Sequence, residues 1–376
     1  MRTTPTAALE ILLDLRPLWL HVQGEAMASC YRMAAQGTWG REDIDYGHSQ
    51  LLKVMRGIVP ISAFPSDLML PQHRFNKGFQ VVIPSREDWV DQGKSLLGDS
   101  EVIYTDGSLM EGRAGAGVHY SQDQELIISL GEWATVYQSE VVAIEAATGL
   151  QSIGECNNGI KICSDSQASL KALAAPVVKS KLIYECQVAL KALAEHNKVE
   201  LIWVPGHRGI DGNEAADRLA KEGSSRAMIG PEPALGISPK IVRREIHKYL
   251  QRAHKEYWEG LNTCKQAKEL MGGLNKKRAK QIIRLPRNKL QLIGGVLTGH
   301  CGLDKHLTVI NIRNDPLCQL CWEEEETAFH FLGECPAFSA LRIRILGVDT
   351  LTAREIRNLP ISVLWRIIKE SGRLKR

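Results

Sequence analysis

Four acidic residues in the middle of the chain are spaced so that they could act together: Asp106, Glu140, Asp165 and Asp217. Carboxylates gathered in one place repel one another, and some of them take up protons unless a cation compensates their charge. Divalent cations remove this conflict, because Mg²⁺ prefers a few carboxylates together with water and phosphate oxygens. Two such ions about 3.5–4 Å apart can activate a water and stabilise the leaving oxygen of a phosphodiester. The set therefore indicates metal-dependent chemistry on phosphate esters.

These residues need a sheet and helices to bring them together, and the pattern of apolar residues from about 99 onwards predicts both. Period-2 runs predict strands, and apolar spacing of three or four predicts helices, in the order βββαβααβα. The predicted elements are strands 102–104, 116–120, 125–130, 160–163 and 199–204, and helices 136–153, 166–173, 180–195 and 212–222. This order predicts a mixed sheet flanked by helices.

The predicted elements place the acids at one edge of that sheet. Asp106 and Asp165 each follow a strand, so both emerge at the same edge if the first and fourth strands are neighbours. Open sheets build their sites at such an edge. Glu140 lies near the start of the helix after strand three, and Asp217 lies on the last helix. Helices packed on the sheet could bring both to the same place.

Each acid taken alone has an ordinary structural explanation. Asp106–Gly107 is a common hairpin turn, and Asp165–Ser166 is typical of a helix N-cap. Glu140 could be a solvent-facing helix charge, and Glu145 competes with it for any role on that helix. Asp217 could be a first-turn residue favoured by the helix dipole.

Five motifs in a fixed order together resemble the signature of type I ribonuclease H. They are Tyr104–Ser108, Ser139–Glu140, Ser164–Ser166, Trp203–His207 and Gly212–Asp217. The resemblance covers residues 98–225, and the residues of the motifs are most similar to those in domains of non-LTR (LINE-type) retrotransposon polyproteins. It implies an α/β fold with a ribonuclease H-like, mixed five-stranded sheet flanked by helices.

The resemblance also implies an activity and its residues. The domain is expected to hydrolyse the RNA strand of RNA/DNA hybrids with two Mg²⁺ or Mn²⁺ ions, leaving 3′-hydroxyl and 5′-phosphate ends. The implied metal ligands are Asp106, Glu140, Asp165 and Asp217. His207 is assigned to proton transfer or product release, which suits a side chain that titrates near neutral pH. A catalytically inactive nucleic-acid-binding protein and a transposon remnant remain as alternatives.

A second cluster near the C-terminus has the spacing C-x2-C-x8-H-x4-C. Its members are Cys318, Cys321, His330 and Cys335. Thiolate and imidazole ligands at such spacing are typical of a structural tetrahedral Zn²⁺ site. The alternative is three buried cysteines and a core histidine. Cys301, which lies near His300 and His306, could replace one ligand or stay outside the site. A similar segment follows the ribonuclease H domain in the polyproteins that the chain resembles.

Charge and composition bound the remaining partners. Residues 240–289 carry 15 Lys/Arg against 4 Asp/Glu, which favours a nucleic-acid-binding surface, although a solvated basic helix has the same composition. The run Lys276–Lys280 is equally typical of a phosphate contact and of a nuclear import signal. Nine cysteines in an irregular pattern do not form a secreted disulfide framework, and no run is long enough for a membrane span. We expect an intracellular protein, in the nucleus or cytoplasm, and the sequence is silent on oligomeric state.

These patterns predict the following segments. They are a helical region at 1–95, the ribonuclease H domain at 98–225, a linker at 224–239, a basic helical region with the Cys/His segment at 240–345, and a basic tail at 346–376. Residues 2–40 resemble the region that follows the reverse transcriptase in those polyproteins. No Asp-Asp pair on a strand–turn–strand pattern occurs, so no polymerase is expected.

Overall fold

The chain folds into two compact units. The computed structural model describes residues 4–37, 47–121, 123–150 and 159–374. The sheet unit is Glu25–His247, and the helical unit combines Met1–Gly24 with Lys248–Arg376. Among the described residues, no helix has both the length and the apolar character needed to cross a bilayer.

A mixed sheet forms the centre of the sheet unit. The strands described there are β1 (Leu68–His73), β2 (Gln80–Val82), β3 (Glu101–Met110), β4 (Arg113–Ser121), β5 (Gln124–Gly131), β6 (Ile160–Ser164), β7 (Val177–Ser180) and β8 (Val199–Trp203). The main sheet has the order β2-β8-β6-β3-β4-β5, and β1 pairs separately with β7. β3, β4 and β5 are antiparallel, whereas β3, β6, β8 and β2 run parallel. The predicted α/β class with a mixed sheet is confirmed.

Helices complete both units. Those that contain sheet-unit residues are α2 (Leu18–Ala35), α3 (Gly47–Ile58), α4 (Arg86–Gln92), α5 (Val136–Ala147), α6 (Gln167–Ala174), α7 (Lys181–Leu193), α8 (Asp211–Ser225) and α9 (Pro239–Gly260), of which α2 and α9 continue into the helical unit. The others are α1 (Thr6–Leu13), α10 (Lys265–Met271), α11 (Lys276–Ile283), α12 (Arg287–Thr298), α13 (Asp304–Val309), α14 (Ser339–Leu346), α15 (Ala353–Asn358) and α16 (Ile361–Ser371). The predicted end of the helix after strand three, at residue 153, lies outside the described residues.

The two helices that matter most for the site pack on opposite faces of the sheet. α5 lies on the face of Gly107, where a Cβ would be only 2.5 Å from the backbone nitrogen of Glu140. α8 lies on the face of Gly117, where a Cβ would overlap backbone atoms of α8. Because directly paired residues of antiparallel strands share a face, Asp106, which pairs with Gly117, points toward α8.

β3, which corresponds to the first predicted strand, is longer than predicted. β3 runs on to Met110, and the chain reverses at Glu111 and Gly112, which have φ values of 50° and 85°. The hairpin interpretation of Asp106–Gly107 is therefore wrong, because this dipeptide lies inside the strand. Its glycine is needed for the close approach of α5 rather than for a turn.

A sixth strand extends the predicted five-stranded sheet. β2 pairs in parallel with β8 at the edge of the sheet, within the segment 1–95 that was predicted to be helical. Three residues are too few to establish a period-2 pattern, so no pattern in the sequence predicted this strand. The segment 1–95 is also divided, since Met1–Gly24 belongs to the helical unit.

The remaining predicted segments are more ordered than their names imply. The segment 224–239, expected to be a linker, lies within the sheet unit and forms hydrogen bonds with the RNase H-like part of it. Gly236 O accepts from Gln138 Nε2 at 2.9 Å, and Glu232 accepts from Glu132 N at 3.1 Å. Residues 346–376, expected to be a basic tail, include α15 and α16. The apolar side of α16 is buried in the core of the helical unit through Leu364 and Ile367, which are each 1% exposed.

We expect Gly117→Ala to lower the free energy of unfolding by about 1–3 kcal/mol, because the new methyl group must displace the backbone of α8. The matched control is Gly57→Ala in α3, where no atom lies within 4 Å of the new Cβ. It should raise the free energy of unfolding by about 0.5–1 kcal/mol, since alanine is the better helix former. Urea unfolding of both full-length variants measures the difference. Wild-type stability for Gly117→Ala would contradict the described packing of α8 on β4.

Candidate active site

Two neighbouring strands bring Asp106 and Asp165 together. β3 and β6 are parallel, with Thr105 paired to Ser164, so the next residue of each strand emerges side by side. The first and fourth predicted strands are therefore neighbours, which is the condition under which the two acids emerge at the same edge. Thr105 Oγ1 donates to Cys163 O at 3.0 Å and ties the two strands together just before the acids.

Glu140 reaches the same place from α5. The helix begins after Thr135, which forms a capping box with Gln138 and fixes the start of the first turn. One turn later, the backbone of Glu140 passes directly over Gly107, where no side chain intervenes. The competing acid, Glu145, is only half buried and lies farther along the helix.

The three acids form one compact group. Carboxylate oxygens of Asp106, Glu140 and Asp165 all lie within 4.8 Å of one another. Asp106 is 6% exposed and Glu140 is 8% exposed, whereas Asp165 is half-buried. Glu140 Oε2 is buried without any hydrogen-bond partner. Buried polar atoms of this kind are rare, because losing water without a replacement partner costs about 1–3 kcal/mol or more.

The environment opposes ionisation of these carboxyls. Burial, together with the charges of Asp165 and Asp217, raises the pKa of Asp106 to about 8. Burial and the charges of Asp106 and Asp165 raise the pKa of Glu140 to about 9. Burial also raises the pKa of Asp165, against the opposing influence of His207. Without a cation, the group therefore retains protons at neutral pH.

A hard divalent cation fits this donor set. The three carboxylates supply oxygen ligands only, which is the chemistry that Mg²⁺ and Mn²⁺ prefer. An ion would give Glu140 Oε2 the partner that it lacks, and its charge would offset the burial and the repulsion that raise the pKa values of Asp106 and Glu140.

Asp217 stands beside this group rather than within it. Its Oδ2 lies 2.5 Å from Nζ of Lys221, one turn farther along α8. It is nevertheless close enough for its charge to raise the pKa of both Asp106 and Asp165. The structure thus brings three of the four predicted acids within 4.8 Å of one another, and the fourth interacts with Asp106 from their edge.

The loop after β8 places His207 on the surface, close enough to Asp165 for its charge to lower the pKa of that acid. His207 is exposed and has a left-handed φ of 54°, which is uncommon for a residue with a side chain. Its charge influences Asp165. The Cα of Gly206 lies against Asp165, where a Cβ would overlap Oδ2, and Trp203 Nε1 donates to Asp165 O at 3.0 Å. The loop and the acid therefore hold each other in place.

Sequence reasoning missed several of these supporting residues. The motifs contain Gly107 and Gly206 but do not predict the close approaches that these glycines allow. Lys221 lies just beyond the last motif. The only available signal was that each lies within or next to a motif that carries an acid.

Comparison with known protein families agrees with this geometry. Residues 98–225 match the RNase H family model, ending where α8 ends. This part of the chain is therefore similar to RNase H domains. Its fold is RNase H-like, and the match supports ribonuclease H activity in general, with RNA/DNA hybrid as the nucleic acid bound. The match covers about a third of the chain and includes neither β2 nor the helical unit.

The second predicted cluster also assembles, within the helical unit. Ligand atoms of Cys318, Cys321, His330 and Cys335 all lie within 4.8 Å of one another. The Sγ atoms of Cys318 and Cys335 are 3.9 Å apart, and Cys321 Sγ is 3.4 Å from His330 Nε2. Bonds of about 2.3 Å to sulfur and 2.0–2.1 Å to nitrogen in a tetrahedron give separations of roughly 3.6–3.8 Å. The spacing fits zinc, and the sulfurs are too far apart for a disulfide.

The surroundings lower the pKa of only one of the three thiols: burial raises the pKa of Cys318, and it raises the pKa of Cys335 to about 12. Amide groups of the chain after Cys318 and Cys321 donate to both sulfurs. At Cys321, burial raises the pKa, but these amide hydrogen bonds outweigh it and the pKa of the thiol is lowered. Glu324 Oε2 lies 3.5 Å from His330 Nδ1, a position from which a carboxylate can orient a metal-binding imidazole.

Cys301 does not belong to this group among the described residues. The His300 ring packs edge-on against His306 with centroids 4.8 Å apart, and His300 Nδ1 contacts Thr298 O at 2.8 Å. The alternative in which Cys301 replaces a ligand is therefore not favoured.

The raised pKa values predict how stability depends on pH without divalent ions. Carboxyls of the unfolded chain have pKa values of about 4. Between about pH 4 and the folded pKa values of about 8 and 9, Asp106 and Glu140 hold protons that the unfolded chain lacks. The free energy of unfolding must therefore fall as pH rises through this range.

Asp106→Asn should weaken this dependence, so the variant should be more stable than the wild type at pH 8 in buffer free of divalent ions. Added Mg²⁺ should stabilise the wild type more at pH 8 than at pH 6, because the ion competes with protons. Urea unfolding at several pH values measures both effects, with exposed Asp91→Asn as the matched control. Equal pH dependence for Asp106→Asn and the wild type would contradict the electrostatic description.

We expect the purified protein to contain about one Zn²⁺ per chain, measured by elemental mass spectrometry. Cys335→Ser should lose the zinc and destabilise the helical unit, because a structural zinc contributes directly to folding. Cys264→Ser is the control, since this cysteine lies outside the cluster. Retention of full zinc by Cys335→Ser would exclude the proposed ligand set.

Proposed function

We propose that this protein is an endoribonuclease that hydrolyses the RNA strand of RNA/DNA hybrids by a two-metal-ion mechanism. The ions would be Mg²⁺ or Mn²⁺, and the products would carry 3′-hydroxyl and 5′-phosphate ends. The proposed ligands are Asp106, Glu140, Asp165 and Asp217. The observation that carries the proposal is the buried, unpartnered Oε2 of Glu140 within a trio of carboxylates, inside a domain that matches RNase H.

The protein's own residues would prepare the site and move protons. Asp106, Glu140 and Asp165 must lose their protons before they can hold an ion, which their raised pKa values make dependent on pH. When bound, two ions activate the attacking water and stabilise the leaving oxygen. Lys221 forms a salt bridge with Asp217, and this salt bridge would have to break before Asp217 could bind an ion.

His207 is proposed to transfer a proton near the scissile phosphate or to assist product release. Its exposure on the loop that also packs on Asp165 lets it reach both solvent and substrate. An imidazole can both accept and donate a proton, which suits either role. The hybrid would be recognised by shape, with hydrogen bonds to 2′-hydroxyls distinguishing RNA from DNA.

We also propose a second role, nucleic-acid binding by the helical unit. Part of the basic stretch 240–289 is committed to structure: Arg278 donates to Arg357 O, and Lys268 donates to Glu259 O and Leu261 O. Many other cations of the stretch are exposed and available for phosphates. The zinc cluster would stabilise this unit.

An origin from a LINE-type retrotransposon is part of the same proposal. This origin is supported by the residues of the five motifs and by the Cys/His segment that follows residues 98–225. An intracellular location, in the nucleus or cytoplasm, is proposed from the reduced cysteines that a zinc site requires.

Glu140→Gln should reduce cleavage of a labelled RNA/DNA hybrid by roughly 100-fold or more, because removing a metal ligand costs several kcal/mol at about 1.4 kcal/mol per tenfold. The variant should still bind the hybrid. Glu145→Gln, on the same helix but outside the trio, should cleave within about threefold of wild type. Gel analysis of both strands, with and without added Mg²⁺, makes the measurement.

Matched RNA/RNA and DNA/DNA duplexes serve as substrate controls and should stay intact. Equal cleavage by Glu140→Gln and wild type would remove Glu140 from the site. A folded wild type that binds the hybrid tightly but never cuts it would favour the inactive binding protein instead.

A further inference from the structure

Trp365 separates two grooves on the surface of the helical unit. It projects from α16, is half-buried, and lines both grooves. The first groove has a volume of about 390 Å³ and lies where α16 begins, beside the end of α11 and the start of α12. The second has a volume of about 370 Å³ and lies along α12 and the end of α16. Each volume is within the range of sites for small organic groups.

The side chains around Trp365 combine apolar surface with amides and cations. Polar groups of the first groove are Gln281, Lys289 and Ser362. Those of the second groove are Asn288, Gln291 and Lys369. All lining residues of the two grooves are described, and none of them is acidic. Amides can donate to and accept from the edges of nucleic-acid bases, and cations can bind phosphates.

Further cations stand around the grooves. Arg284 lies about one helical turn after Gln281, Arg287 lies one turn before Gln291, and both are exposed. The acid next to Lys369 along α16 is Glu370, whose two oxygens accept from Arg344 and Arg366 at 2.8 Å each. The surface is therefore positively charged, and its nearest acid on that helix is neutralised.

The indole packs against the core of the helical unit and also contacts a cation of the first groove. Nζ of Lys289 lies 5.1 Å from the centre of the Trp365 ring, which is a cation–π contact. Lys289 lines the first groove and not the second. In the second groove, the indole meets amides and Lys369 without a cation over it.

We infer that these grooves bind single-stranded nucleic acid. A base would stack on Trp365 in the second groove, with its edge against Gln291, while Lys289, Lys369, Arg284 and Arg287 bind the phosphates. A single strand is required because its bases are free to enter a groove, whereas a duplex keeps them stacked and paired. An apolar peptide would leave this set of cations without a counterpart, so charge favours nucleic acid.

This inference rests on the second part of the proposed function, which is nucleic-acid binding by the helical unit. It adds the position of the binding site and the single-stranded form of the nucleic acid. It does not depend on the nuclease. Single-stranded DNA is a suitable probe, because the proposed nuclease does not cut it and no chelator that would remove zinc is needed.

The test is the affinity of the full-length protein for a fluorescein-labelled 15-nucleotide thymidine strand, measured by anisotropy without added Mg²⁺. Trp365→Leu should raise the Kd by about fivefold or more, since stacking contributes about 1–3 kcal/mol per base. Lys369→Glu should raise it by about threefold or more and reduce its salt dependence. Lys369 is exposed, so this variant does not endanger folding.

The matched control is Arg354→Glu, the same reversal of charge at an exposed position on α15 that lies outside the basic stretch and outside both grooves, and it should bind like wild type. A strand with 5-bromouracil should also photo-cross-link to the peptide that contains Trp365. Wild-type affinity in both groove variants, an equal loss in the Arg354 control, or cross-links confined to the sheet unit would overturn the inference. In the first two cases wild-type binding would still support the second role. Cross-links confined to the sheet unit, or no binding by the wild type, would overturn both and leave the nuclease untouched.

Discussion

Repulsion among buried carboxylates is the constraint on which the rest of the sheet unit depends. Asp106, Glu140 and Asp165 have oxygens within 4.8 Å of one another, and burial adds a desolvation cost to their mutual repulsion. A fold optimised only for stability would replace such a group with apolar side chains. Keeping the three acids together is useful only if a cation, or a set of bound protons, compensates their charge. The unpartnered Oε2 of Glu140 favours the cation.

The surrounding architecture is built to allow this close approach. Glycines stand where another part of the chain approaches closely: the backbone of α5 at Gly107, the backbone of α8 at Gly117, and the side chain of Asp165 at Gly206. Each lacks the Cβ that would hold an acid away from its neighbours. The helices and the loop after β8 can therefore reach the centre of the sheet from both faces and from its edge. Rigid elements rather than mobile side chains thus set the positions of the acids, as a preorganised metal site requires.

Much of this could be predicted from the sequence, and the errors have physical causes. The order of strands and helices placed Asp106 and Asp165 at one edge on the condition that β3 and β6 are neighbours, and the two strands do pair. Asp-Gly is a strong local turn signal, yet a tertiary contact with α5 explains this glycine, so the local rule failed. β2 was missed because three residues carry no period and because its partner, β8, lies more than a hundred residues away. The order of α15 and α16 depends on apolar side chains whose burial partners lie in distant helices.

The most direct test of the central claim is a crystal structure of the protein grown in Mn²⁺, with anomalous scattering measured at the manganese edge. The account predicts an anomalous peak in direct contact with carboxylate oxygens of Asp106, Glu140 and Asp165, with Glu140 Oε2 among or beside the ligands. An ordered site with no anomalous density at saturating Mn²⁺ would contradict it. The three acids would then have to be held together by protons alone, and a metal-dependent nuclease could not be based on them.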